Sequence, residues 1–178
     1  GGLAGGLIGG VAGGISAVND DCNFWNGKPN KLLDEVDYNL RYCPNEGSND
    51  CFVKSAESIE ENFGPNKCSA TDIRQAIGKT NNELVTFEDM EGVGYNFIDG
   101  VNAENSFCLM KEYPNVRALH ATNWGDGTGH MTAVNRMQMW QKANGKIYYR
   151  LYTMDSARGQ YIRTAIQKIY IVNRIKPW

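Results

Sequence analysis

An α+β domain is the fold class this sequence predicts, and three observations predict it. Apolar residues recur with a helical period around Cys51 to Phe63. From Asn115 onward they alternate instead, in runs rich in β-forming residues. Asn144-Gly145 then joins two of the alternating runs as a hairpin turn, so the sheet is antiparallel. A helix laid on one face of such a sheet gives both apolar surfaces a partner. With 178 residues the chain has the length of one domain plus a tail.

The tail comes first. Residues 1–17 read GGLAGGLIGGVAGGISA, with a Gly-Gly pair at Gly1, Gly5, Gly9 and Gly13. That is the small-xxx-small spacing of close-packed membrane helices, although such a helix is only about 25 Å long, slightly short of a span. Glycine at this density also opposes a helix in water. The stretch reads as a flexible joint to a larger upstream protein, with a glycine-zipper segment in contact with a membrane as the alternative. Residues 1–20 are set apart on this ground, and 21–178 form the folded domain. No basic n-region of a secretory signal precedes it.

Leu32, Leu33, Val36 and Leu40 are spaced for one short helix. Phe52, Ala56, Ile59 and Phe63 form one face of a longer one, with Asp50 or Ser48 as N-cap and Gly64-Pro65 as its stop. Ser69-Ala70-Thr71-Asp72 resembles a capping box and opens a second helix through Ile77, closed by Gly78. Residues 79–114 read as short helices and irregular structure. Strands follow at Asn115–Thr122, His130–Trp140, Lys146–Met154 and Ala165–Val172, with a glycine-rich loop at Trp124–Gly129.

Cys51 falls on the first turn of the key helix. There the backbone N–H groups are unpaired and the helix dipole is positive, which favours a thiolate. A thiol nucleophile needs a base and a group to orient that base. His130 opens a strand, and Asp155 ends the strand next to it, so a hairpin brings the two side chains together. His120 is the rival base, but it alternates with Ala118 and Thr122 as a sheet residue does. Asn135 is the rival orienting residue, in mid-strand. The backbone N–H of Cys51 plus an upstream side-chain amide, Asn45 or Asn49, would hold an oxyanion.

Charge excludes other classes. The net charge is −2, and no basic cluster with interleaved aromatics points to nucleic acid. Five cysteines with no C-x-x-C spacing, and only two histidines, give no structural zinc site. No metal or organic cofactor is implied. With Cys51 set aside, Cys22, Cys43, Cys68 and Cys108 either pair as two disulfides, in one of three ways, or stay unpaired.

The order of Cys, His and Asp, helix first and sheet second, resembles the papain-like cysteine peptidases. The bacteriocin-processing, double-glycine-leader peptidases are the closer likeness. Their motifs look like Cys51, Gly129-His130-Met131-Thr132-Ala133-Val134 and Met154-Asp155-Ser156-Ala157-Arg158-Gly159. That family has a Gln about six residues before its Cys, where this chain has Asn45, and a Cys-Gly-Pro where this chain has Cys51-Phe52-Val53. Asn123–Thr132 is similar to the His motif of type VI secretion amidase effectors. The glycine repeat followed by Asn23-Phe24-Trp25-Asn26-Gly27 is similar to the junction after the shell of Rhs-type polymorphic toxins.

These resemblances imply a papain-like thiol hydrolase, the C-terminal toxin domain of a secreted bacterial protein. Cys51, His130 and Asp155 would be catalytic. Its substrate would be an amide of a protein, a peptide, peptidoglycan or a glutamine side chain, in the cytoplasm or periplasm of a target cell. An immunity protein and an upstream Rhs-type delivery shell would be its partners. A non-catalytic papain-like binding module, or a toxin acting on membranes through residues 1–17, are the alternatives.

Overall fold

A computed structural model describes residues 30–60, 67–123, 129–163 and 166–174. Among them are the strands β1 (Lys31–Asp37), β2 (Tyr95–Val101), β3 (Arg117–Asn123), β4 (Gly129–Gln141), β5 (Ile147–Asp155), β6 (Gly159–Arg163) and β7 (Lys168–Arg174). The helices are α1 (Cys51–Glu60), α2 (Ala70–Ile77), α3 (Phe87–Gly92) and α4 (Ala103–Glu112). The fold is α+β with an antiparallel sheet. Its strands lie in the order β2-β7-β3-β4-β5-β6, and β1 pairs with β4 off that path. The Gly-rich residues 1–17, Cys22, the motif 23–27, Phe63, the stop at 64–65 and the loop 124–128 lie outside the described residues.

The described chain divides into two compact units. One holds 30–35 and 138–149. In it Trp140 stacks on Tyr148 with ring centroids 6.4 Å apart, and Gln138 donates to Glu35 at 3.0 Å. Gly145 takes the left-handed conformation (φ 86°) in the turn between β4 and β5, where its N–H donates to the Lys142 carbonyl at 2.9 Å. The other unit, 36–137 with 150–174, contains every residue of the site described below.

In this second unit the central strands are buried on both faces. Ala118, Leu119 and His120 are consecutive and all inaccessible, as are Ile169, Ile171 and Val172. Register fixes which residues share a face: Leu119 sits opposite Ala133 and Tyr170, and Ala118 opposite Ile171. Leu119, Ala133, Tyr170 and Val172 pack with Phe52, Val53, Ala56 and Ile59 of α1, and with Ile73 of α2 and Met90 of α3. Helix α4 lies against β3 and β7. Its buried Phe107 and Met110 are not part of that cluster. The Ser55 hydroxyl pins α1 to the sheet by donating to the Met131 carbonyl at 3.1 Å.

Helix α2 has the predicted ends. Ser69 and Asp72 form a reciprocal capping box, and Gly78 closes the helix in the left-handed region (φ 74°). Helix α1 begins at Cys51 with Asp50 at the N-cap position, as read from the sequence, but the Asp50 side chain does not cap it. The Asp50 carbonyl accepts the first helical N–H, from Lys54 at 2.9 Å, while the Asp50 side chain turns away to the N–H groups of Glu46 and Gly47.

The short helix expected from Leu32, Leu33, Val36 and Leu40 is instead strand β1. Val36 and Leu40 are buried, but Leu32 and Leu33 are 40% and 38% exposed, so the four residues do not share one covered helical face. Pairing with β4 satisfies the backbone instead. Residues 79–114, expected as short helices and irregular structure, hold α3, α4 and an unforeseen strand, β2, antiparallel to β7. Strand β6 was also unforeseen, and pairs with β5 beyond the turn at Asp155. Cys43, Cys51 and Cys108 are free thiols. Each of the three two-disulfide patterns uses both Cys43 and Cys108, so none of them forms. Among the described residues no helix is long and apolar enough to cross a membrane.

Candidate active site

Three elements deliver three side chains. Cys51 is the first residue of α1, where the leading N–H groups of the helix have no intrahelical acceptor. His130 is the second residue of β4, paired with Thr122 of β3. Asp155 is the last residue of β5, paired with Gly159 of β6. Gly129 is required beside His130, because a Cβ there would stand 2.7 Å from the Thr122 carbonyl oxygen.

His130 Nε2 lies 2.8 Å from Asp155 Oδ1. The carboxylate is only 1% exposed, and the same oxygen accepts the Ala157 N–H at 2.9 Å, which holds it in place. With Nε2 engaged, Nδ1 is the nitrogen left for the thiol. Burial alone would push the half-buried Cys51 thiol up. The hydrogen bond and charge of His130, with the N–H groups of Met131 and Phe52, outweigh burial and bring it below the ordinary thiol value. His130 moves the other way. Its bond to Cys51 raises it most, burial opposes, and the bond and charge of Asp155 add to the rise. Both shifts favour a thiolate beside an imidazolium.

A cleft of about 790 Å³ opens over Cys51 and His130. Leu84, Phe87 and Tyr170 line its apolar wall, and Leu84 is 68% exposed. Phe87 is braced edge-on by Phe52 at 5.0 Å and packs on Tyr170 at 4.6 Å. A second, smaller cavity of about 270 Å³ lies against His130 and is lined by Asn45, Ser48, Thr122, Asp155 and Arg158.

Asn45 lines both cavities, its N–H anchored to the Ser156 carbonyl at 3.0 Å. Its side chain makes no hydrogen bond to the described residues. Asn49 also lines the larger cleft, but its amide is committed to the Asn82 carbonyl at 2.6 Å. Of the two amides Asn45 is therefore the better placed to donate into the cleft. The rivals settle into other positions. His120 is fully buried in β3, and its Nε2 accepts the Gln167 N–H at 3.1 Å. Asn135 holds the incoming chain, its Oδ1 accepting the Leu40 N–H at 2.6 Å.

Two participants escaped the sequence reading. Leu84 sits in a stretch with no clear period. Arg74, which grips Asp50 beside the thiol, left one trace: it shares a helical face with Ala70, Ile73 and Ile77. A cation in an apolar stripe signals a buried partner. Compared with known proteins, the chain matches no protein-family model and no curated sequence.

Proposed function

We propose that this protein is a papain-like thiol hydrolase that cleaves amide bonds. One observation carries the reading: His130 is held by a buried carboxylate at 2.8 Å and faces, at the floor of an open cleft, a cysteine at a helix N-terminus. In the reaction His130 takes the thiol proton, and the Cys51 thiolate attacks the carbonyl carbon. The resulting oxyanion is met by the Cys51 N–H and the Asn45 amide. Collapse breaks the C–N bond, and His130 returns the proton to the leaving amine. A water molecule, deprotonated by His130, then hydrolyses the thioester. Asp155 keeps the imidazole in the tautomer that faces the thiol. The apolar wall at Leu84, Phe87 and Tyr170 favours an amide flanked by a bulky apolar side chain.

In this reading the domain is the toxin carried by a larger, Rhs-type bacterial protein, and an immunity protein that plugs the cleft is its partner. The test is growth of a susceptible bacterium expressing the chain in cytoplasmic and periplasmic forms, against Cys51→Ala. Killing by the wild type and survival with Cys51→Ala is the expected result, and the compartment separates cytosolic protein from peptidoglycan as substrate. Equal killing by both sinks the mechanism. If neither kills, iodoacetamide decides: Cys51 should alkylate faster than free cysteine at neutral pH and lose that advantage in His130→Ala.

A further inference from the structure

The residue immediately before the thiol is part of a buried clasp. Asp50 is 2% exposed, and its carboxylate oxygens divide between two tasks. Oδ2 accepts the N–H groups of Glu46 at 2.9 Å and Gly47 at 2.7 Å. Oδ1 accepts Nε and Nη2 of Arg74 at 3.1 and 2.8 Å. Arg74 is itself buried and directs its remaining donors to carbonyls. Nη2 reaches Asn49 at 3.0 Å and Asn81 at 3.3 Å, while Nη1 reaches Glu83 at 3.1 Å and also Thr80. A single guanidinium, with the carboxylate it grips, thus ties residues 46–50 to residues 80–83 and to α2. The two loops meet backbone to backbone: a Cβ at Gly47 would stand 2.5 Å from the Asn81 carbonyl oxygen. The other end of the first loop is bolted to the turn after Asp155, through Asn45 N–H and the Tyr42 hydroxyl, both on the Ser156 carbonyl.

We propose that Arg74 is a positioning residue for the reaction: through Asp50 it holds residues 46–50 so that the Asn45 amide and the Cys51 N–H converge on the oxyanion. The inference rests on the thiol-hydrolase reading above and deepens it. A buried ion pair contributes little net stability, because desolvation offsets the attraction, so geometry is the better account of this one. Lysine cannot reproduce it, since a point charge lacks the planar fork that serves a carboxylate and several carbonyls together. The bonds of His130 to Cys51 and Asp155 run outside the clasp. Loss of the clasp should therefore weaken oxyanion stabilisation and leave the thiolate in place.

Two probes separate those effects without knowledge of the natural substrate. Acyl transfer from p-nitrophenyl acetate to Cys51 passes through a tetrahedral oxyanion. Displacement of iodide from iodoacetamide by the same thiolate does not. Both rates would be measured on the full chain, corrected with Cys51→Ala for the other thiols, in Arg74→Lys and in Asp50→Asn. Folding would be checked by circular dichroism. The proposal expects acylation to fall at least about tenfold in the folded variants. It expects alkylation to stay within about threefold of wild type. Unchanged acylation in a folded variant overturns it, and so does an equal fall in both rates. If Arg74→Lys does not fold, Asp50→Asn decides. If neither folds, the clasp is a stability element and the proposal is wrong. A wild-type chain without any Cys51-dependent acylation is a different result: it removes the parent reading itself.

Discussion

At the scale of single residues the site is a balance of opposed effects on two ionisable groups. Cys51 is lowered and His130 raised, each largely by the other, against burial that pushes both toward neutrality. The reactive thiolate–imidazolium form exists above the lowered Cys51 value and below the raised His130 value. Acylation should therefore rise with pH as Cys51 ionises and fall as His130 loses its proton. Asp155→Asn removes the charge that helps raise His130, so the alkaline limb should move to lower pH and the window narrow. The maximum rate should fall on the order of 10- to 100-fold, read from a pH profile of Cys51 acylation. An unmoved alkaline limb would assign that limb to another group. Gly129 gives a steric counterpart. The atom a new Cβ would strike belongs to backbone, which cannot swing aside as a side chain does. Gly129→Ala should destabilise the protein by about 1–3 kcal/mol in urea unfolding, with His130 displaced and acylation slowed. Wild-type stability and rate in that variant would show that β3 and β4 separate easily there.

At the scale of elements, the helix α1 does two jobs with two faces. Its apolar face anchors the core through Phe52, Val53, Ala56 and Ile59, and its N-terminus presents the thiol to the cleft. Helix α2 supports it from beside, and its beginning rests on the reciprocal Ser69–Asp72 box. Ser69→Ala should cost about 1 kcal/mol, measured as a lower urea midpoint with an unchanged slope. Because α2 also carries Arg74, the same variant reports whether fraying of this helix start reaches the clasp. No loss of stability would mean that the box contributes nothing to α2. The strands tell where local patterns stop. The sequence pattern marked β3, β4, β5 and β7 within a few residues, although burial in β3 and β4 does not alternate, because those strands are covered on both faces. Alternation could not mark β2 or β6. A seven-residue run such as Tyr-Asn-Phe-Ile-Asp-Gly-Val becomes a strand by pairing with β7, far along the chain.

At the scale of the whole molecule, the cysteine question left open by counting has a direct check. Cys43 and Cys108 are free thiols, so no two-disulfide network braces the chain. A native disulfide contributes about 2–5 kcal/mol, so dithiothreitol should leave the melting temperature within about 2 °C. A larger drop would show a disulfide in the folded protein. Much of the candidate site was legible in the order of the residues. Cys51 stood at a helix start, His130 followed a glycine-rich loop and Asp155 closed a strand, and each of those signals lies within a window of about ten residues. The α+β class followed for the same reason, because helical and alternating periods are properties of near neighbours. Three matters waited for the folded chain. Leu32 and Leu33 carry a helical spacing but form part of a strand, Asn45 rather than Asn49 has its amide available to the cleft, and Arg74 reaches across two loops to Asp50. Each depends on a partner distant in sequence, brought close only when the sheet and helices pack. The sequence by itself determined which residues could do the chemistry and the elements that carry them. Only the tertiary structure decided which polar groups are already bonded and which remain to act, because hydrogen-bond partners are set by proximity in space and not by spacing along the chain.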